Sequence, residues 1–159
     1  MALTAHSRRA RRLWTGLATV GGVGYAPVAP GTFGTVPGVL LWYLTFPYIG
    51  IWGHLALCIG LTIISVVVSQ RAGEIFGEAD ASPIVIDEVA GVMWAFLLVP
   101  HGIVAAVAGF LLFRFFDIAK VWPASYFDKR MKNGLGVTLD DVVAGAYACI
   151  LLNIGAALA

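Results

Sequence analysis

Long apolar runs separated by two kinds of connection dominate the chain. The runs occupy residues 36–52, 54–69, 83–100, 102–118 and 142–159. Each is close to the roughly 20 residues that a helix needs to cross hydrocarbon. The connections 70–82 and 119–141 are polar, whereas those near 50–53 and 100–102 are tight and hold no Lys, Arg, Asp or Glu. The strict apolar/polar alternation of a transmembrane barrel strand is absent. The pattern predicts an all-α, polytopic helical membrane protein with about five hydrophobic segments. Segments three and four keep only about a dozen apolar residues each once Asp87, Glu88, Arg114 and Asp117 are set aside, so a short or re-entrant hairpin is the alternative to two full crossings.

Ahead of the first run, residues 1–20 carry Arg8, Arg9, Arg11 and Arg12 beside a short apolar stretch, Leu13 to Val20. That stretch is too short to span and lacks a small-residue cleavage site, which predicts an interfacial segment held by anionic lipid. Residues 21–38, GGVGYAPVAPGTFGTVPG, are rich in Gly and Pro and read as an ordered loop.

Composition narrows the picture further. Of 159 residues, 60% are hydrophobic and only 12% charged, about half the charge of a typical soluble domain. The length suits one membrane-embedded domain, 1–159, and leaves no room for a second. A formal net charge of +1 gives no reason to expect nucleic acid as a partner. Cys58 and Cys149 lie inside apolar runs without metal-ligand spacing and read as packing residues. The positive-inside rule puts the N-terminus in the cytoplasm, and five crossings then bring Arg71, Lys120, Lys129, Arg130 and Lys132 to the same side. All nine acids fall at or near those ends, so the charge gathers on one face.

The acids carry the candidate chemistry. Asp87 and Glu88, in SPIVIDEVAGVMW, sit about one turn inside an apolar segment, where an unpaired carboxylate costs several kcal/mol. They suit a metal site, or else an ion pair with Arg114 or Lys120. Asp140 and Asp141 open the last run, where helix capping explains one acid more easily than two. Arg114, Asp117 and Lys120 follow at i, i+3, i+6 along one helix face. They form either a salt-bridge ladder or a site in which Asp117 binds metal while Arg114 and Lys120 meet phosphate oxygens. Thr32 and Thr35, in APGTFGTVPG, join backbone N–H groups at a helix N-terminus suited to phosphate, with a plain turn and cap as the alternative. Glu74 and Glu78 read as a solvated face, and Asp80 as a further candidate ligand. No histidine is placed as a nucleophile or base, and no Ser/His/Asp or Cys/His set can be assembled. Carboxylates with basic residues suit Mg2+ and phosphoryl chemistry on a lipid headgroup. A small transporter or channel using intramembrane carboxylates is the competing class, with a structural subunit third.

Four spaced motifs resemble the phosphatidylglycerophosphatase A family. They are Pro30-Gly31-Thr32-Phe33-Gly34-Thr35; Ile86-Asp87-Glu88 with Gly91; Phe113-Arg114 and Phe116-Asp117 with Lys120 and Trp122-Pro123; and Gly134 and Gly136 before Asp140-Asp141 with Ala144-Gly145. Val121 departs from the family's usual Pro. The resemblance implies a Mg2+-dependent phosphomonoesterase of the bacterial inner membrane that converts phosphatidylglycerophosphate to phosphatidylglycerol. It implies metal or catalytic roles for Asp87, Glu88, Asp117 and Asp141, with Asp140 and Lys120 supporting them. Self-association into a homo-oligomer is left open.

Overall fold

The computed structural model describes residues 5–158, with side chains from Arg8 onward. Met1 to Thr4 of the expected interfacial segment, the His6 side chain and Ala159 lie outside the described residues. The described chain is helical, without strands: α1 (Ala5–Ala18), a 3-10 turn (Val23–Tyr25), α2 (Pro30–Phe76), α3 (Ile86–Ala95), α4 (Ile103–Ala119), α5 (Ala124–Arg130) and α6 (Gly134–Leu158).

The first two apolar runs share the 47-residue α2, but Gly50, at φ 59 and ψ −167, breaks its helical geometry. Contacts show that the chain folds back there. Gly38 lies against Val89 and Val92, and Val68 and Ala72 join a cluster with the same Val89. In a straight helix, Gly38 and Ala72 would stand about 50 Å apart. The arms 30–49 and 51–76 therefore run in opposite directions along α3. Gly50 supplies the positive φ that an L side chain resists.

α3 occupies the centre. Eight of its ten residues are buried, and at about 1.5 Å per residue it covers only half the hydrocarbon thickness. The third apolar run was expected to reach Pro100, but the helix stops at Ala95 and Leu98 adopts φ 62. Trp42 stacks on Phe96 with ring centroids 4.0 Å apart. α6 runs alongside α3 in the same direction, with Gly91 against Asp141 and Leu97 accepting hydrogen bonds from Cys149 and Asn153. α4 runs the other way, placing Arg114 beside Glu88 and Gly109 beneath the Phe96 ring.

Among the described residues two helices, α2 and α6, are long and apolar enough to cross a membrane, and α2 is folded into two arms at Gly50. Helix length alone therefore does not yield the expected five crossings. Outward-facing Leu44, Ile63, Val104, Val107, Leu111 and Ile154 are all more than half exposed, an apolar girdle of the kind that lipid contact accommodates.

Two element boundaries also differ from the sequence reading. The expected loop at 21–38 gives way to α2 at Pro30, a favoured residue in a first helical turn. Gly34 and Gly38 serve close packing there, since side chains at these positions would collide with Val85 and Val92. α6 begins at Gly134, not after Asp141. Its first turn holds no acid, which removes capping as the explanation for Asp140 and Asp141.

Candidate active site

The antiparallel packing brings five chain segments to one end of the bundle: the start of α2, the 77–85 connection, the starts of α3 and α6, and the end of α4. Between them lies a cavity of about 430 Å³, lined by residues that include Asp87, Glu88, Arg114, Asp117, Lys120, Asp140 and Asp141. Every charged residue selected from the sequence for catalysis or metal binding lines this one cavity. Glu78, Asp80 and Ser82 complete its polar wall.

Asp87 and Glu88 enter from the first turn of α3, where the positive end of the helix dipole favours carboxylates. Asp141 enters from α6, brought close because Gly91 and Gly145 let α3 and α6 approach nearly backbone to backbone. Asp87 and Asp141 are each 4% exposed. One oxygen from each of Asp87, Glu88 and Asp141 lies within 4.8 Å of the others. Oxygens about 2.1 Å from a small divalent ion stand roughly 3 to 4 Å from one another, so the spacing fits. Asp87 Oδ1 and Glu88 Oε2 are buried and have no hydrogen-bond partner among the described residues. Such an arrangement is costly unless a cation or protons offset it.

The other two expected ligands are engaged differently. Asp117 accepts a hydrogen bond from Arg114 Nη1, and the same nitrogen stands 3.9 Å from Glu88 Oε1. Asp140 accepts from Lys120 Nζ, which also donates to Asp128 Oδ1 at 3.1 Å. The compact donor set is Asp87, Glu88 and Asp141; Asp117, paired with Arg114, also stands in side-chain contact with Asp141 at its edge, and Asp140 holds Lys120 at the wall. Lys120 caps α4 in the left-handed region, at φ 45, a conformation costing a non-glycine residue about 1 kcal/mol. Burial of its ammonium opposes the charge, but the hydrogen bonds to Asp140 and Asp128 and the charges of Asp140 and Asp141 outweigh this and raise its pKa.

Thr32 and Thr35 are not among the residues lining the cavity. Thr35 is fully buried and its hydroxyl donates to the Gly31 carbonyl one turn back. That short segment meets the site through its backbone instead. Ala29, Pro30 and Gly31 form part of the wall, and Gly31 is pressed against Glu88 and Arg114. Asp128 and Ser82 had no role in the sequence reading. Asp128 belongs to a short helix whose contact with Lys120 is eight residues distant in sequence, and no local spacing signals it.

A conserved-sequence profile, phosphatidylglycerophosphatase A, matches residues 16–156 and so spans the whole cavity. The chain belongs to the phosphatidylglycerophosphatase A family. Phosphatidylglycerophosphatase A of Haemophilus influenzae is 34% identical over 132 residues, 82% of this chain and 81% of that protein. The Escherichia coli protein of the same name is 34% identical over 142 residues, covering 87% and 81%. A Bacteroides thetaiotaomicron protein, provisionally named a phosphatidylinositol-3-phosphatase, is 34% identical over 140 residues, covering 84% and 87%. No solved structure gives a significant match. Membership in the phosphatidylglycerophosphatase A family makes this a phosphatase fold, with a buried acidic group able to bind metal at its charged end.

Proposed function

We propose that this chain is a Mg2+-dependent lipid phosphatase that hydrolyses the terminal phosphomonoester of phosphatidylglycerophosphate, giving phosphatidylglycerol and phosphate. The observation that carries this reading is the convergence of Asp87, Glu88 and Asp141 with Arg114 and Lys120 in one cavity, in a chain whose family relatives carry that activity in their names. We read residues 1–159 as a single domain of the bacterial inner membrane, crossing several times, with the cavity on the cytoplasmic side where the basic residues gather.

Asp87, Glu88 and Asp141 would hold the cation. When bound, Mg2+ supplies Lewis-acid polarisation of the phosphoryl oxygens and lowers the pKa of a coordinated water. Arg114 offers a planar fork of donors and Lys120 a point charge, both suited to the oxygens of the transferring phosphoryl group. Asp117 and Asp140 hold these cations in place and keep their charge directed at the cavity. In the overall reaction a water oxygen joins phosphorus, the bond from phosphorus to the glycerol oxygen breaks, and that oxygen leaves with a proton. Attack by water directly and attack by an aspartate followed by water both satisfy this balance.

Phosphate release from phosphatidylglycerophosphate by the purified protein in detergent, with Mg2+ and then with EDTA, tests the reading. Release that ceases with EDTA and returns with Mg2+ is expected. Release unaffected by chelation would remove the metal from the proposal. Faster turnover of phosphatidylinositol 3-phosphate would move the substrate to the class named for the Bacteroides relative. The transporter reading predicts ion flux through liposomes that depends on Asp87, with no phosphate released.

A further inference from the structure

The cavity poses an electrostatic problem for an anionic substrate. Seven carboxylates line it, against Arg114 and Lys120, and Asp140 and Asp117 already pair with those two cations. Even with a divalent ion bound, the wall has more formal negative than positive charge. A lipid carrying a phosphomonoester would approach such a mouth slowly unless positive charge nearby raised its local concentration.

That charge is present on two elements beside the cavity. α1 reads AHSRRARRLWTGLA, with four arginines and no acid. Arg9, Arg11 and Arg12 are exposed, and they form no ion pair among the described residues. α5 and the residue pair following it add exposed Lys129, Arg130 and Lys132. Both elements are fixed to the site's framework. Trp14 and Ala18 of α1 pack with Ala81, Ile84 and Ile86, and Ala18 accepts a hydrogen bond from Val85 N at 2.9 Å. Val85 ends the connection that carries the cavity residues Asp80, Ser82 and Ile84. α5 is tied in through Asp128 and Lys120.

The faces of α1 suit a membrane surface. Trp14 and Ala18 mark the side packed on the protein. Leu13 and Leu17, at i and i+4, are 59% and 42% exposed and continue the stripe that Arg9 begins one turn earlier, while Arg12 is turned about 100 to 140° away from them. Leucines aimed at acyl chains with arginines at headgroup level are the arrangement of an interfacial helix. Charge on both elements, apolar side chains on one flank of α1, and anchorage beside the cavity favour a lipid occupant over a protein partner.

We propose that α1 and the 129–132 segment form a basic collar that concentrates anionic phospholipid headgroups around the cavity mouth. The inference deepens the proposed function by assigning how substrate is gathered, and it rests on that reading only for the substrate's negative charge.

The test uses the full chain reconstituted in liposomes of phosphatidylcholine mixed with phosphatidylglycerol. Lipid retained on the extracted protein is counted by native mass spectrometry at low and high salt. Phosphatidylglycerol is expected to be enriched over the bulk composition at low salt. The enrichment should fall about threefold or more in Arg9→Gln/Arg11→Gln/Arg12→Gln and in raised salt. Lys129→Gln/Arg130→Gln/Lys132→Gln should show a parallel loss, which keeps the proposal testable should the first variant fail to insert. Unchanged enrichment in both variants, or enrichment indifferent to salt, would overturn the collar. Arginines that serve only membrane orientation would give a reversed protein with enrichment intact, which overturns it equally. Turnover then separates the two readings. The variants should need a higher mole fraction of phosphatidylglycerophosphate for half-maximal rate, with kcat little changed. A protein that enriches phosphatidylglycerol yet releases no phosphate would leave the collar standing and remove the phosphatase reading.

Discussion

Glu88 Oε1 occupies the space that a side chain on Gly31 would need, and Arg114 Nη1 lies 3.0 Å from the same point. The start of α2 therefore acts as a backstop that holds a candidate ligand and a candidate phosphate-binding group in place. Gly31→Ala should push Glu88 aside while leaving the hydrophobic core intact. Turnover is expected to fall by roughly 10²-fold, the scale of a misplacement near 1 Å at a reacting centre, with Tm within a few degrees of wild type. A normal rate in Gly31→Ala would show that the position of Glu88 is not critical.

The three compact carboxylates should behave as a unit. Asp87→Asn, Glu88→Gln and Asp141→Asn are each expected to lower kcat by about 10³-fold or more, since phosphoryl transfer relies on positioned charge. In metal-free protein these substitutions relieve like-charge crowding in a buried site, so Tm should hold steady or rise. Glu74→Gln provides the comparison, because Glu74 is half exposed and, among the described residues, pairs with Arg71 and Gln70 alone. Its activity should stay within about twofold of wild type. Small and equal losses at all four positions would favour a purely structural ion-pair network.

Lys120 and Asp140 should show coupling. Lys120→Gln leaves Asp140 buried without its cation, and Asp140→Asn leaves the ammonium paired with Asp128 as its remaining carboxylate. Each change is expected to cost about 10 to 100-fold in kcat/KM, the range of residues that orient a metal site. The double variant should lose much less than the product of the two. Losses that multiply fully would mean that the two side chains act independently.

Removal of divalent cations offers a readout apart from activity. Mg2+ added to EDTA-treated protein is expected to raise Tm, because an ion that binds only the folded state stabilises it by mass action. Asp141→Asn should blunt the rise. A Tm indifferent to Mg2+ in wild type would argue against a site of useful affinity.

Sidedness can be read by labelling single cysteines. In membranes of known orientation, cysteines at Asp80 and Asp128 should react from the cytoplasmic side and one at Tyr48, 88% exposed beside the Gly50 break, from the other. Reaction of all three from one side would contradict opposite placement of the two ends of the bundle.

The charged site was largely legible in the sequence, because placing carboxylates and arginines inside an apolar chain is expensive and each such residue stands out against its surroundings. Asp87, Glu88, Arg114, Asp117, Lys120, Asp140 and Asp141 were all singled out in this way. The division of labour among them was not legible. Whether Asp117 and Asp140 face a metal or a cation depends on partners that the packing of α4 antiparallel to α3 and α6 brings in. Asp128 escaped notice for the same reason.

The glycines show the limit most clearly. Gly31, Gly34 and Gly38 resemble a loop when read for turn chemistry, but on a helix the spacings of three and four put them on one face. Their role in close packing appears only once Glu88, Val85 and Val92 are known to lie opposite. Local sequence can state that a residue lacks a side chain; it cannot state what fills the space. By itself the sequence determined a helical, lipid-compatible chain with its charge at one end, because burial cost and hydropathy are properties of each segment. Only the tertiary structure decided that Gly50 folds α2 back, that α3 stops short at the centre, and that Asp87, Glu88 and Asp141 meet, because those outcomes depend on contacts between segments far apart in the chain.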